Sequence, residues 1–354
     1  MSESPVRVLV AGLGNMGRSH ALAYHLDPGY EIVGLVSRGG RPIPPELGAY
    51  PHWTDFRAAL AQTRPDLASI NTYSDSHAAY AMAAMEMGAH VFVEKPLAPT
   101  VEDARRVVET ARRRRRKLVV GYILRHHPSW IAFIEKARAL GGPFVMRLNL
   151  NQQSAGAEWE LHKRLMETTS PMVDCGVHYV DVMCQITDAA PVQVRGMGVR
   201  LSDEIHAGQH NYTHLQVIFA DGSVGWYEAG WGPMISETAF FVKDVISPKG
   251  SVSIAMEAES GSADMDTHTK TSRIRTHFAA LRRDGRFQRE DEWTSTADEP
   301  GHDALCAREQ SFVLKAIRED LDLSRHNEDA VRSLEIVLAA EVSAREMRAV
   351  DLQA

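Results

Sequence analysis

Only three cysteines, Cys175, Cys184 and Cys306, occur in 354 residues. They are too few and too widely spaced for a disulfide framework or a CxxC metal knuckle, so a reducing, cytoplasmic setting is expected. No apolar run approaches the ~18 residues of a membrane span, and MSESPVRVLV has no basic start followed by an apolar stretch and a small-residue cleavage site. The sequence therefore predicts a soluble, unexported protein with no membrane partner. Positive charge is also in short supply: 39 Lys and Arg against 46 Asp and Glu give −7, which leaves no global basic field for nucleic acid. The sixteen histidines show no HExxH or similar ligand spacing, and His126-His127 are adjacent rather than helix-spaced, so no metal is expected. Internal repeats and low-complexity tracts are missing as well.

What is present suits an ordinary globular chain, with 44% apolar and 24% charged residues and a length for two or three domains. Short apolar runs alternate with helix-like segments through the first third, the pattern of βαβ units on a parallel sheet. The expected strands are Val6 to Ala11, Glu31 to Val36, Leu67 to Asn71, His90 to Val93 and Lys117 to Tyr122. Ser74 and Ser76 are expected to cap a helix from His77 to Met87, and Thr100 with Asp103 to form a capping box. The run Arg112 to Arg116 has no interleaved aromatics for base stacking and reads as a solvated helix end.

Beyond Tyr122 the pattern changes, which places a domain boundary near Leu124 and divides the chain into residues 1–124 and 125–354. Pro128 and Ser129 open a helix to about Leu140. Asn211 to Phe219 and Ser223 to Trp231, joined by an Asp-Gly turn, read as a hairpin. Residues 261–268 are polar and read as a loop, while Asp303 to Arg318 and Asn327 to Arg348 read as amphipathic helices that could return to the first domain. The fold class expected is α/β: a doubly wound, Rossmann-type parallel sheet, then an α+β domain with a large, mainly antiparallel open sheet.

The chemistry is concentrated at a few positions. Gly12-Leu13-Gly14-Asn15-Met16-Gly17 follows the first strand and opens a helix, the context that makes this glycine spacing informative. One glycine makes the turn, one admits a pyrophosphate, and one lets helix pack on strand. The second strand ends in Ser37-Arg38 where a carboxylate would hold an NAD ribose. Arg offers forked donors to a 2′-phosphate, so NADP is favoured over NAD. Glu94-Lys95-Pro96 ends a further strand, which sends Lys95 to the crevice where ligands of doubly wound sheets bind. Ser170-Pro171 starts a helix expected from Met172 to Ile186, with Asp174 and His178 one turn apart.

Four stretches together carry a family resemblance: the glycines at 12, 14 and 17; Ser69-Ile70-Asn71-Thr72 with His77; Val93-Glu94-Lys95-Pro96; and Asp174-Cys175-Gly176-Val177-His178. Over nearly its whole length the chain resembles the Gfo/Idh/MocA oxidoreductases, named for glucose-fructose oxidoreductase, inositol dehydrogenase and a rhizopine-catabolism protein. The resemblance implies a catalytic group of Lys95, Asp174 and His178, a cofactor side that includes Asn71, Thr72, Tyr73, His77, Glu94 and Lys95 itself, and a second-domain sheet that often serves as an oligomer interface. A homodimer or homotetramer is expected. Two positions depart from the family pattern: Thr72-Tyr73-Ser74 stands where T-P-N is usual, and Gly121-Tyr122-Ile123-Leu124-Arg125 keeps an arginine but replaces the polar residues before it.

The expected activity is transfer of a hydride between nicotinamide and a hydroxyl or keto carbon of a sugar, polyol or cyclitol. A carbinol that gives up hydride must also lose its proton, so an acid/base group must lie within hydrogen-bond reach. His178 titrates near neutrality, Asp174 can orient it, and Lys95 can stabilise charge on the oxygen. The residues leave open whether Lys95 or His178 takes the proton. Tyr122, Arg125, Asn149, Gln152, Trp159, His162 and Lys163 are candidate polyol contacts. A redox-assisted glycosidase or lyase that uses the dinucleotide transiently, and a non-catalytic dinucleotide-binding regulator, are the rival readings.

Overall fold

A computed structural model of the chain describes residues 4–39, 43–236, 242–255 and 271–352. The polar stretch 261–268 lies outside the described residues. The chain divides into two compact units, Met1–Ile123 with Pro300–Val331, and Leu124–Glu299 with Arg332–Ala354.

The first unit is a six-stranded parallel sheet of β1 (Val6–Ala11), β2 (Tyr30–Val36), β3 (His52–Trp53), β4 (Leu67–Ile70), β5 (His90–Glu94) and β6 (Leu118–Gly121), in the order β3-β2-β1-β4-β5-β6. Central strands covered on both faces must be mostly apolar, and β1 and β4 are buried along almost their whole length. Successive strands are added to one side of β1 as far as β3 and to its other side from β4 onward, and this switch in strand order opens a crevice at the carboxyl ends of β1 and β4. The five strands expected from the sequence are all present. The two-residue β3 is too short to carry a pattern.

The helices of this unit are α1 (Asn15–Leu26), α2 (Phe56–Thr63), α3 (Ser74–Glu86) and α4 (Val101–Arg114). Thr100 caps α4 by accepting from the Asp103 N–H at 3.1 Å, as the capping box requires. Arg112 pairs with Glu109 and Arg113 with Glu86 on the exposed end of that helix. The cap of α3 needs correction. Tyr73 is its N-cap, with Ser74 already helical, and Ser76 Oγ donates back to the Tyr73 carbonyl at 2.8 Å.

The second unit contains α5 (Pro128–Leu140), α6 (Gly156–Met166), α7 (Pro171–Asp174) and α8 (Gly176–Thr187). Its strands are β7 (Val145–Gln153), β8 (Pro191–Val199), β9 (Tyr212–Phe219), β10 (Val224–Gly232), β11 (Lys243–Ser247), β12 (Gly250–Ala255), β13 (Arg273–Phe278), β14 (Glu292–Ser295) and β15 (Val350–Asp351). Among the described residues they form one nine-stranded sheet, antiparallel except where β10 runs parallel to β7. The β9-β10 hairpin turns at Asp221-Gly222, with Gly222 at φ +83°. Burial alternates along β7: Met146 and Leu148 are enclosed while Val145 and Arg147 are open. One face is thus packed under helices such as α5 and α8, and the other carries exposed Val145, Met197, Ile218, Val224 and Ile246. Two further helices follow, α9 (His302–Arg318), which belongs to the first unit and packs along α1, and α10 (Ser324–Glu346).

One helix is not as expected. Instead of a single helix from Met172 to Ile186, α7 ends at Asp174 and α8 begins at Gly176. At this break a Cβ on Gly176 would meet the Tyr227 ring at 3.1 Å, so the chain presses close to β10 where it changes course. Asp174 and His178 therefore belong to successive helices rather than to one continuous face.

Candidate functional site

The glycine turn divides its work as the spacing predicts. Gly12 sits at φ +88°, and a Cβ there would lie 2.4 Å from the Asn71 carbonyl oxygen. A Cβ on Gly17 would lie 2.0 Å from the Gly12 carbonyl oxygen, so only glycine lets α1 pack this tightly on the turn. Gly14 faces open space within 4 Å. It is the N-cap of α1, with no side-chain cap and no acidic residue in the first turn, and Asn15 and Met16 follow directly. The positive end of the helix is therefore left to an anion. Nearby, Asn71 is 8% exposed, and its Oδ1 is buried with no protein hydrogen bond. A cradle that any Cβ would fill, beside an unsatisfied acceptor, fits a dinucleotide.

Other expected cofactor residues frame the same strand ends. Ser37 follows β2, with its hydroxyl 2.9 Å from His52 Nε2, and Arg38 beside it is exposed. His77 lies between two turns, its Nδ1 2.8 Å from the Pro96 carbonyl and its Nε2 2.9 Å from that of Thr72. It acts as a brace between the β4 and β5 ends. Burial holds its pKa below the ordinary imidazole range against the pull of both carbonyls. Tyr73, in place of the family's usual proline, is 69% exposed. Glu94 is buried at the end of β5, where His20 Nε2 donates to its Oε1 at 2.8 Å, and Lys95 follows it.

In the second unit the structure brings together some of the expected residues. Trp231 Nε1 donates to Gln152 Oε1 at 2.8 Å, and the His162 ring stacks on Trp231 with centroids 4.4 Å apart. Cys175 Sγ also approaches Gln152 Oε1, at 3.7 Å, and the charge of neighbouring Asp174 acts on His162. Burial nevertheless pushes His162 down to about 4, which leaves it a neutral ring at neutral pH. His178 is 6% exposed in the first turn of α8.

Other candidates have partners of their own. Asn149 is three positions from Gln152 on β7 and so faces the opposite side of the sheet, where its Oδ1 accepts the Val242 N–H. Arg125 forms a two-pronged pair with Asp181, at 2.8 and 2.6 Å. Trp159 and Lys163 both turn to Glu204, at 3.3 and 2.7 Å. Tyr122 is 1% exposed inside the first unit, edge-on to His326. Sequence reasoning missed Trp231 as a site residue. Its place two residues beyond Ala229 and four beyond Tyr227, on the enclosed face of β10, was the available signal.

Comparison with known proteins decides the family. The oxidoreductase family with NAD-binding Rossmann fold matches residues 6–122, and the GFO/IDH/MocA C-terminal domain matches residues 134–239. The chain belongs to the Gfo/Idh/MocA oxidoreductases. Within this family it is 26% identical to a D-glucoside 3-dehydrogenase of Escherichia coli over 51% of this chain and 54% of that protein. An inositol 2-dehydrogenase of Paracoccus denitrificans is 27% identical over 57% of this chain and 60% of its own length. The chain thus spans little more than half the length of these curated relatives. The Lactobacillus casei scyllo-inositol dehydrogenase, solved with NAD(H) and scyllo-inositol, shares the fold with a TM-score of 0.74 and 18% identity over 98% of this chain and 99% of that one.

This Gfo/Idh/MocA chain is expected to lose stability in mild acid. His90, His126 and His162 are each pushed down to about 4, chiefly by burial, whereas unfolded imidazole titrates near 6.5. The unfolded chain binds more protons between those values, so the stabilisation is fully present above about pH 6.5 and is lost as pH falls toward about 4. Chemical denaturation at pH 7.5 and pH 5 should show a drop of at least about 2 kcal/mol at the lower pH. Equal stability at both would contradict the buried neutral rings. Among the described residues, no helix is long and apolar enough to cross a membrane.

Proposed function

We propose that the protein is a dehydrogenase or reductase that uses a nicotinamide dinucleotide to interconvert a hydroxyl and a keto carbon on a sugar, polyol or cyclitol. The observation that carries this reading is the glycine turn: its uncapped helix and the open Asn71 acceptor stand on the same sheet edge as the Glu94-Lys95-Pro96 turn. Gly12, Gly14 and Gly17 would receive the pyrophosphate on the first turn of α1, with Asn71, Thr72 and Tyr73 alongside. Bound there, the dinucleotide supplies a nicotinamide ring able to accept or return a hydride. Lys95 stabilises negative charge on the carbinol oxygen, and His178, with Asp174, handles its proton. Gln152, His162 and Trp231 offer polar edges and a flat ring, which suit a polyhydroxylated substrate. The substrate classes named in the relatives, a glucoside and inositol, agree with that chemistry.

Purified protein mixed with either dinucleotide and a panel of aldoses, inositols, anhydrosugars and ketosugars should show net nicotinamide reduction or oxidation with at least one of them. Cleavage of a glycoside with no net change in the dinucleotide would instead favour the transient-redox reading.

NADP is the proposed preference. Exposed Arg38 supplies charge for a 2′-phosphate, and the Ser37-His52 pair adds polar groups beside it. Arg38→Asp is expected to weaken NADPH binding by about tenfold or more while sparing NADH. Strict selectivity of the parent protein for NADH would overturn this.

The exposed sheet face with Val145, Met197, Ile218, Val224 and Ile246 is proposed as the contact between protomers of a homodimer or homotetramer. Val224→Arg with Ile218→Arg should yield a monomer by light scattering, and an unchanged oligomer would place the contact elsewhere.

A further inference from the structure

Beneath the proposed site, a buried file of side chains joins the ends of two strands. Asn71 Nδ2 donates to Ser69 Oγ at 3.0 Å, and the Ser69 hydroxyl hydrogen-bonds the Tyr24 phenol. Tyr24 donates to Gln310 Oε1 at 2.5 Å, and Gln310 Nε2 stands 2.9 Å from His20 Nδ1. His20 Nε2 is 2.8 Å from Glu94 Oε1, and Glu94 Oε2 accepts the Lys95 backbone N–H at 3.2 Å. Tyr24, His20 and Ser69 are 0% exposed, Gln310 is 1%, and Glu94 is 6%. The residues come from α1, β4, β5 and α9, so no local sequence pattern announces them.

The donors settle the direction of this file. A phenol that donates to Gln310 Oε1 fixes which end of the amide is the NH₂, and that NH₂ must donate to His20 Nδ1. An accepting Nδ1 puts the single ring proton on Nε2, aimed at the Glu94 carboxylate. At the other end Asn71 spends its NH₂ on Ser69, which leaves Oδ1 as an acceptor for a ligand N–H or O–H.

We propose that His20 and Gln310 are positioning residues that hold Glu94 as an oriented carboxylate and, through it, set how the Lys95 ammonium is presented. This rests on the reading of Lys95 as a working group of the site. Burial of Glu94 opposes its ionisation, but the His20 hydrogen bond first, and then nearby positive charge, that of Lys95 included, outweigh it and keep the carboxyl below its usual range. Attraction is mutual, so Glu94 favours the charged form of Lys95. Glu309 Oε2 is 3.9 Å from His20 Nε2. Burial and then the Glu94 charge push the Glu309 carboxyl well up, so it is the uncharged acid of the cluster. His20 also meets the Phe92 ring edge-on at 4.8 Å, and Tyr30 and Cys306 act on the Tyr24 end.

The test uses the full chain with ring-¹⁵N histidine and side-chain ¹³C lysine, read by NMR, with NADH as the ligand probe. At about pH 7.5 the His20 ring should carry its proton on Nε2, and Gln310→Leu should let the two tautomers mix. In Glu94→Gln the Lys95 titration, assigned by its disappearance in Lys95→Met, should move down by about one pH unit. NADH binding to Gln310→Leu should stay within about threefold of the parent, because the glycine turn is untouched. A parent His20 in the Nδ1–H form or as imidazolium, or an unmoved Lys95 titration, overturns the proposal. The parent spectrum decides the first point even if Gln310→Leu fails to fold. Full turnover of Lys95→Met would refute the catalytic reading of Lys95 while leaving both NMR results intact.

Discussion

Lys95→Met is expected to lower turnover by about 10²- to 10⁴-fold while NADH or NADPH binding changes by less than about threefold. The methionine keeps the length of the stem but removes the charge proposed to face a developing alkoxide. Lys95 follows the carboxyl end of β5, away from the glycine turn proposed to receive the pyrophosphate, so on that proposal nucleotide affinity does not depend on its ammonium. Steady-state kinetics with fluorescence titration of NADH separates the two effects. Near-normal turnover would remove Lys95 from the mechanism, and loss of nucleotide affinity in parallel would recast it as a cofactor contact.

A second large effect is expected at the glycine turn, where neighbouring glycines should fail in different ways. Gly17→Ala puts a methyl group 2.0 Å from a backbone oxygen that cannot swing aside, so helix and turn must separate. Melting temperature should fall by several degrees and NADH affinity by more than about tenfold. Gly14→Ala meets no atom within 4 Å. Stability should be preserved there, with affinity alone reduced, because the added methyl occupies space needed by the ligand. Equal melting and equal affinity in both variants would contradict the assignment of this turn to a nucleotide.

The parallel sheet was legible because strands enclosed on both faces must be mostly apolar, as β1 and β4 are, and because glycines mark turns between the elements. The hairpin of β9 and β10 was equally readable from its Asp-Gly turn. Legibility stopped where tertiary contact overrides local pattern. The break between α7 and α8 is set by the approach of Gly176 to the Tyr227 ring, a residue some fifty positions away, and Ser170-Pro171 gives no sign of it. Tyr73 rather than Ser74 caps α3, because Ser76 reaches back to the turn that carries Thr72.

The site was legible by residue type more than by company. Motif spacing picked out Gly12, Gly14, Gly17, Lys95, Asp174 and His178, each beside a turn or helix start. Polar residues near the second motif were harder to sort. Gln152 and His162 meet around Trp231, whereas Asn149 is turned away by strand alternation and Arg125 is committed to Asp181. The file through His20 and Gln310 spans nearly the entire sequence and depends on α9 packing along α1. No periodicity could have disclosed it.

The most direct measurement follows an isotope. With a reactive polyol from the panel, deuterated at the carbinol carbon, mass spectrometry of the recovered dinucleotide should show one deuterium per molecule of ketone formed, and Lys95→Met should slow its appearance by orders of magnitude. Ketone formed with no label in the dinucleotide, or label retained in a cleaved product while the dinucleotide ends unchanged, would contradict the account.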